Sequence, residues 1–321
     1  MADKQENKRE IRLAYASILI GAALWGIIGV WNRGLMAAGL SPIEIVTVRN
    51  FGGMLLLALV FAARDRSVFR VKREHWKYFA GTGIVSVFLF TVCYFSCQKI
   101  CSLAVASILL YTAPSFVVIL SAILWKEPIT KRKALALALT LFGCASVCGI
   151  TETLFSGSNA AGGGDALTVT LPGILLGLGA GFFYALYSIF GRYALAHYDS
   201  MTVTVWTFLF AGPASLLFLP VSRLSANSGL SASSGQSALS ALSLSPRAFL
   251  LSAGLVIFST VLPYIFYTRG LAKVEAGKAS IMASLEPVVA SLAGVILFHE
   301  PADLWTLCGI VCVLAGVWIL R

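Results

Sequence analysis

The sequence predicts an all-α integral membrane protein whose ten transmembrane helices form two inverted five-helix repeats. Three observations carry that expectation. Hydrophobic residues make up 58% of the chain and charged residues only 12%, about half the charged share of an ordinary soluble domain. Apolar runs long enough to cross the roughly 30 Å hydrocarbon layer recur along nearly the whole length, and backbone groups in lipid must bond internally, so such runs are helices. Finally, one stretch is written twice. Ser107–Pro128, SILLYTAPSFVVILSAILWKEP, returns 173 positions later as Ser280–Pro301, SIMASLEPVVASLAGVILFHEP. Ser107/Ser280, Pro114/Pro287, Glu127/Glu300 and Pro128/Pro301 stay in register, and beyond the stretch Tyr94 falls on Tyr267 and Gly143 on Gly316.

The spans read as 13–31, 42–62, 76–98, 103–125, 132–150, 172–191, 201–220, 247–271, 276–298 and 304–320. Ser41-Pro42 opens the second span and Pro172-Gly173 the sixth, because a proline at the first helical position lacks only an N–H that would be unpaired anyway. The Glu127-Pro128 and Glu300-Pro301 pairs end the fourth and ninth spans on opposite faces and read as structural stops, since the residue before proline does not continue a helix comfortably; gating contacts are the alternative reading. An N-terminal repeat then covers 1–150 and a C-terminal repeat 172–321, joined by an external connector, 151–171.

The formal net charge of +10 follows topology rather than a polyanion partner, so no nucleic acid is expected. With the N-terminus in the cytoplasm, the inside segments collect nineteen Lys and Arg, and the outside connectors hold only Arg33, Lys99, Arg223 and Arg247. That imbalance places both termini in the cytoplasm and the chain in a cell membrane, plasma or inner.

Five spans per half is an odd number, so the second half enters the bilayer from the opposite side. The starts of the halves align with an offset of 159, which sets Trp25 on Tyr184, Arg33 on Arg192 and Ser41 on Ser200. The offset changes in the connector after the second span of each half, where the second half carries an insertion, 221–246, with serine at about every third position. Its low complexity predicts a loop with little to bury. Inverted repeats are the architecture of secondary transporters, with the solute site near mid-membrane between the halves.

The paired stretches, Arg49-Asn50-Phe51 in the second span and Leu285-Glu286-Pro287-Val288 in the ninth, resemble the EamA-type branch of the drug/metabolite transporter superfamily over nearly the whole chain. The resemblance implies ten helices in two inverted repeats and movement of small metabolites such as amino acids, often outward. The serine-rich insertion departs from that family's compact pattern.

Candidate functional residues are the polar side chains stranded in apolar spans. Arg49 lies about 10 Å along the second helix and Glu286 about 15 Å along the ninth, at 1.5 Å per residue. A charge at bilayer depth costs several kcal/mol, so each faces a cavity or a partner. The repeat-related positions are Phe208 and Ala113, so the scaffold itself does not demand charge there. Either the two pair with each other, or Arg49 snorkels outward, or they meet a solute. In the last case Arg49 grips a carboxylate through its planar fork, and Glu286 holds an ammonium or carries a coupling proton. Trp25, Tyr94, Tyr111, Tyr184, Tyr187, Trp206, Tyr264 and Tyr267 also sit inside spans, either as packing or as a cavity lining that stacks on an organic solute. Pro114, Pro287 and Pro263 interrupt the fourth, ninth and eighth spans, as fixed kinks or as hinges. Gly173, Gly177 and Gly181 allow close helix packing.

Other chemistries lack their residues. Cys93/Cys97/Cys101, Cys144/Cys148 and Cys308/Cys312 follow helical spacing without convergent histidines, so no metal site is expected. His75, His197 and His299 lie near span ends in different connectors. Gly277-Lys278-Ala279-Ser280 lacks the earlier glycine of a phosphate loop, and no cofactor is expected. The expectation is therefore a non-enzyme: a secondary transporter or facilitator of a small organic metabolite, an amino acid or related amine or carboxylate. It works by alternating access in the export direction, with protons as a candidate coupling ion. The alternatives are an uptake carrier for a cationic or quaternary-ammonium solute, an integral membrane enzyme, and a channel or scaffold.

Overall fold

The computed structural model describes residues 2–149, 170–226, 245–300 and 303–320. Most of connector 151–171, most of insertion 221–246, Pro301 and Arg321 lie outside the described residues.

Among the described residues ten helices follow one another across the bundle. They are α1 (Ala2–Gly26, continuing as Ile28–Ala37), α2 (Pro42–Arg64), α3 (Trp76–Ile100), α4 (Leu103–Leu110, then Ala113–Trp125) and α5 (Lys131–Val147). The second half supplies α6 (Leu171–Leu195), α7 (Ser200–Ala226), α8 (Pro246–Leu271), α9 (Ala276–Ala283, then Leu285–Phe298) and α10 (Leu304–Ile319). No strand occurs among the described residues. Successive helices alternate in direction, so α6 runs opposite to α1. The end of the bundle where α1 begins is called the near face below, and the opposite end the far face.

Local chemistry sets the boundaries. Ser41 caps α2 in a full capping box with Glu44, with Pro42 at the start. Thr170 caps α6 through Gly173 N–H, and Ser245 caps α8. α7 runs to Ala226, six residues past its expected end at 220, so the insertion begins as helix. Once a helix exists, each further residue adds a hydrogen bond at low entropic cost.

The two halves interlock rather than sit side by side. α1 packs on α8 and α9, while α6 packs on α3 and α4, which is the same arrangement under inversion. α2 lies against α7 and α5 against α10 on the pseudo-axis. Close approach is written in glycine. A Cβ at Gly143 would lie 2.7 Å from the Gly309 carbonyl, and one at Gly309 2.7 Å from that of Gly143.

The surface is apolar and the interior holds the hydroxyls. Leu59, Ile123, Leu217, Val311 and Trp318 are exposed, whereas Thr82, Thr140, Thr204 and Thr207 are buried. Several buried hydroxyls bond a carbonyl one turn earlier, as Thr91 does to Val87 at 2.8 Å. A soluble bundle reverses this distribution; lipid favours it.

Both halves break their helices in the same register. α4 is interrupted at Tyr111–Thr112 and α9 at Ser284, positions related by the 173-residue offset. Each break lies up to three residues before a proline, Pro114 or Pro287, because the ring excludes the carbonyl one turn earlier. α3 and α8 each contain a π-helical segment, Gly81–Phe88 and Ile257–Val261, again at matching positions. α8 has Pro263 just after its segment; α3 has Phe90 there. The wide turn thus belongs to the repeat and does not require proline.

Candidate functional site

The break in α9 prepares a place for an acid. Glu286 sits in the first turn of Leu285–Phe298, at the positive end of a helix segment with free backbone N–H groups. Protein surrounds it, yet it keeps partial exposure, the combination shown by a side chain facing an internal cavity. Tyr184 on α6 donates its hydroxyl to Glu286 Oε2 at 3.4 Å. α1 crosses α9 at this level, where a Cβ on Gly26 would lie 2.7 Å from the Glu286 carbonyl oxygen.

Arg49 comes from the other half, on the second turn of α2. It lies within electrostatic reach of Glu286, Tyr184 and Tyr264. Its Nε is buried without a hydrogen-bond acceptor. No direct salt bridge joins Arg49 to Glu286 among the described residues.

An aromatic cage adjoins the two charges. Trp25 meets Tyr264 and Tyr267 with ring centroids 5.1 and 5.4 Å apart, and Tyr184 edge-on at 6.4 Å. Tyr187 closes the group against Tyr264 at 5.0 Å. The hydroxyls are tied down, Tyr187 to Thr268 at 2.6 Å and Tyr267 to Ser188 at 2.8 Å, which fixes the ring orientations. Trp25 Nε1 is buried with no partner. The enclosed space is about 10 Å³, room for one water at most. An organic solute enters only if the helices move apart.

Of the aromatic residues singled out in the sequence, Trp25, Tyr184, Tyr187, Tyr264 and Tyr267 converge here. Tyr111 ends the first segment of α4 within electrostatic reach of Glu286. Tyr94 lies one shell out, sharing a hydrogen bond with Ser107 at 3.2 Å and packing on Phe90. Trp206 stands apart. Its Nε1 donates to the Val68 carbonyl at 3.1 Å and its ring packs on Trp76 and Phe79 at the near face. Phe90, Ser188 and Thr268 belong to the site and were not singled out. Their signal was available only through helix rotation, which an apolar sequence does not encode.

Two larger spaces flank the cage. One of about 260 Å³ opens between α2, α3 and α7 toward the far face, lined by Thr47, Thr91, Ser215, Phe218 and, at its rim, Lys99. The other, about 310 Å³, lies at the near face between Tyr15, Thr130, Arg132, Lys133 and Lys278.

Ion pairs occupy the bundle ends. At the far face Arg33 on α1 pairs with Glu300 after α9 at 2.5 Å. At the near face Arg192 on α6 pairs with Glu127 after α4. Lys133, almost fully buried, bridges Glu127 at 3.5 Å and Glu275 at 3.0 Å, and Lys278 adds to Glu275 at 3.4 Å. Burial pushes the Glu275 carboxyl up, but Lys133 and Lys278 outweigh it and hold it below its usual value. Glu127 and Glu300 are therefore more than the structural stops their Glu-Pro context suggests: each carboxylate ties one half to the other. His75 and His197 also meet, with ring centroids 4.3 Å apart and Tyr198 OH 2.8 Å from His75 Nδ1, although their connectors are distant in sequence. No cluster of three or more metal-ligating side chains occurs among the described residues.

Comparison with known proteins agrees with this geometry. Residues 12–148 and 171–321 match the EamA-like transporter family. A transporter of Archaeoglobus fulgidus is 27% identical over 97% of both chains. A second from the same organism is 30% identical over 88% of this chain and 89% of its own. The threonine/homoserine exporter RhtA of Escherichia coli K12 is 30% identical over 43% of this chain and 41% of its own. A solved crystal structure superposes with a TM-score of 0.73 over 95% of both chains at 17% identity, a likeness of fold. With two family segments covering both halves and relatives of matching length named as transporters, this chain belongs to the EamA-like transporter family, within the drug/metabolite transporter superfamily.

Proposed function

We propose that the chain is a secondary carrier that exports a small zwitterionic metabolite, an amino acid or close relative, by alternating access between its halves. One observation carries this reading. Arg49 from the first half and Glu286 from the second lie at the edge of one aromatic cage, electrostatically coupled but not paired. A solute with a carboxylate and an ammonium satisfies both charges at once. Arg49 offers a bidentate fork to the carboxylate, and Glu286 accepts from the ammonium while the rings cover the solute's apolar part. The buried, unpartnered Arg49 Nε is a donor awaiting such an acceptor, since an unsatisfied buried donor costs about 1–3 kcal/mol. That a relative over part of the chain is named a threonine/homoserine exporter agrees with this solute class.

The near face, rich in Lys and Arg, is taken as cytoplasmic by the positive-inside rule. The units that move are residues 1–150 and 172–321, with the breaks beside Pro114 and Pro287 and the π segment beside Pro263 as hinges. In the empty cycle Arg49 and Glu286 relax toward each other, and a proton on Glu286 is the candidate coupling ion.

Counterflow in proteoliposomes tests the reading. Liposomes preloaded with one amino acid are expected to accumulate its labelled form transiently, at least tenfold above protein-free liposomes. Amines lacking a carboxylate and carboxylates lacking an amine should give much less. Counterflow with quaternary amines alone would favour the aromatic cage as a cation site and overturn the zwitterion assignment.

A further inference from the structure

The two ion pairs at the bundle ends are one device used twice. Arg33 and Arg192 are related by the 159-residue offset, and Glu127 and Glu300 by the 173-residue offset. The third member also repeats: the Arg33 guanidinium lies over the Phe298 ring at 4.2 Å and that of Arg192 over the Trp125 ring at 4.6 Å, and Trp125 and Phe298 are again 173 apart. Both carboxylates are presented by the same backbone turn. Lys126 and His299 adopt left-handed conformations, with φ of 55° and 54°, and the following N–H reaches back six residues, Glu127 to Ser121 O and Glu300 to Gly294 O. The left-handed position at such a helix end is usually glycine; here it is Lys and His. The cap pins each glutamate at the end of a helix of one half and turns it toward an arginine of the other.

The environments differ. The Arg33–Glu300 side chains are 53% and 46% exposed, whereas Glu127 is 6% and Lys133 2% exposed. Among the described residues, only the near-face set is reinforced. The positions matching Lys133 and Glu275 in the other half are Thr306 and Ser102.

We propose that these two Arg–Glu–aromatic triads are the latches of the two gates, one per membrane face, and that Lys133 and Glu275 bias the empty carrier toward the state closed at the near face. This rests on the alternating-access reading above. An exposed pair contributes little, and removing one partner of a buried pair leaves an uncompensated charge, so the far latch opens easily and the near latch is the one a solute must help to open.

Hydrogen–deuterium exchange on the full chain in lipid nanodiscs, with no solute present, tests the latches separately from the solute assignment. Glu127→Gln should raise exchange around 126–133 and 192–199 by tenfold or more, and at the same time slow exchange around 32–38 and 296–299, because opening one gate closes the other. Glu300→Gln should do the reverse, by about two- to fivefold. The reversed pair Glu127→Arg with Arg192→Glu, and the milder Arg192→Lys, keep the test open if Glu127→Gln does not fold, and both should sit between Glu127→Gln and the parent chain. Faster exchange confined to the mutated face, with the opposite face unchanged, would make the triads local structural contacts and overturn the proposal. Reciprocal exchange without amino-acid counterflow would retain the latches and reject only the solute.

Discussion

Position for position, the two halves share a scaffold and differ in charge. Both break the fourth helix of the repeat at the same register, at Tyr111–Thr112 and Ser284. Both widen the third helix into a π segment, and both end the fourth on a left-handed residue. Yet the first half has Arg49 where the second has Phe208, and the second has Glu286 where the first has Ala113. Phe208 and Ala113 are fully buried, and Phe208 packs on Tyr264 at 5.1 Å, the same ring that Arg49 reaches. Backbone irregularities repeat because they belong to folding and movement. Charges do not repeat because a solute has no two-fold symmetry. A site between inverted halves is asymmetric where the cargo is asymmetric.

Making the halves alike is the most severe test of that view. The double substitution Arg49→Phe with Glu286→Ala copies each half's own apolar counterpart into the other. We expect it to fold and to remain helical, since each new residue already fits the same scaffold position. Counterflow should fall by 30-fold or more, as expected when buried charged contacts worth about 2–5 kcal/mol are removed. Each single substitution should melt below the double, because it strands one charge at bilayer depth. Parent-like transport by the double variant would remove both residues from the solute site.

Much of the scaffold was legible in the sequence because repetition reads through apolar composition. The offsets of 159 and 173 located the inverted halves, and Pro114 and Pro287 flagged the breaks to within three residues. The register of Arg33 on Arg192 and Glu127 on Glu300 was equally legible, but their joint meaning was not. Each residue looks like an ordinary span-end charge until α1 is seen against α9 and α6 against α4. Trp206 shows the opposite limit. It lies inside a span like Trp25, but the rotation of α7 turns it toward Val68 and the near face. A helix that is apolar on all sides carries no periodic signal of which side faces the cavity. The π segments have no residue signature, as Phe90 in place of Pro263 demonstrates.

That exchange of Phe90 for Pro263 gives a milder test. If the π segment of α8 belongs to the repeat, Pro263→Ala leaves it in place, as the non-proline α3 already shows. The counterflow rate should change by less than about threefold, consistent with modest cost where the native conformation suits the new residue. A tenfold or larger loss, with the melting midpoint unchanged, would make Pro263 itself the hinge and the two halves mechanically unlike.

The smallest effect concerns the face where only one half supplies extra charge. Glu275 stands where the first half has Ser102, and Lys133 with Lys278 holds its carboxyl below the usual value against the opposing effect of burial. A depressed carboxylate stabilises the folded state fully above its unfolded pKa, near 4.3, and loses that contribution as pH falls through the folded value. The melting midpoints of the parent and of Glu275→Gln should therefore run apart by a constant amount from pH 7 to about pH 5 and converge as the pH falls below the unfolded value and through the folded one. About a third of the Glu275 side chain is open to solvent, which keeps the separation small. Curves that stay parallel down to pH 3 would mean that the near-face network takes nothing from this carboxylate, and that the difference between the two faces lies in burial alone.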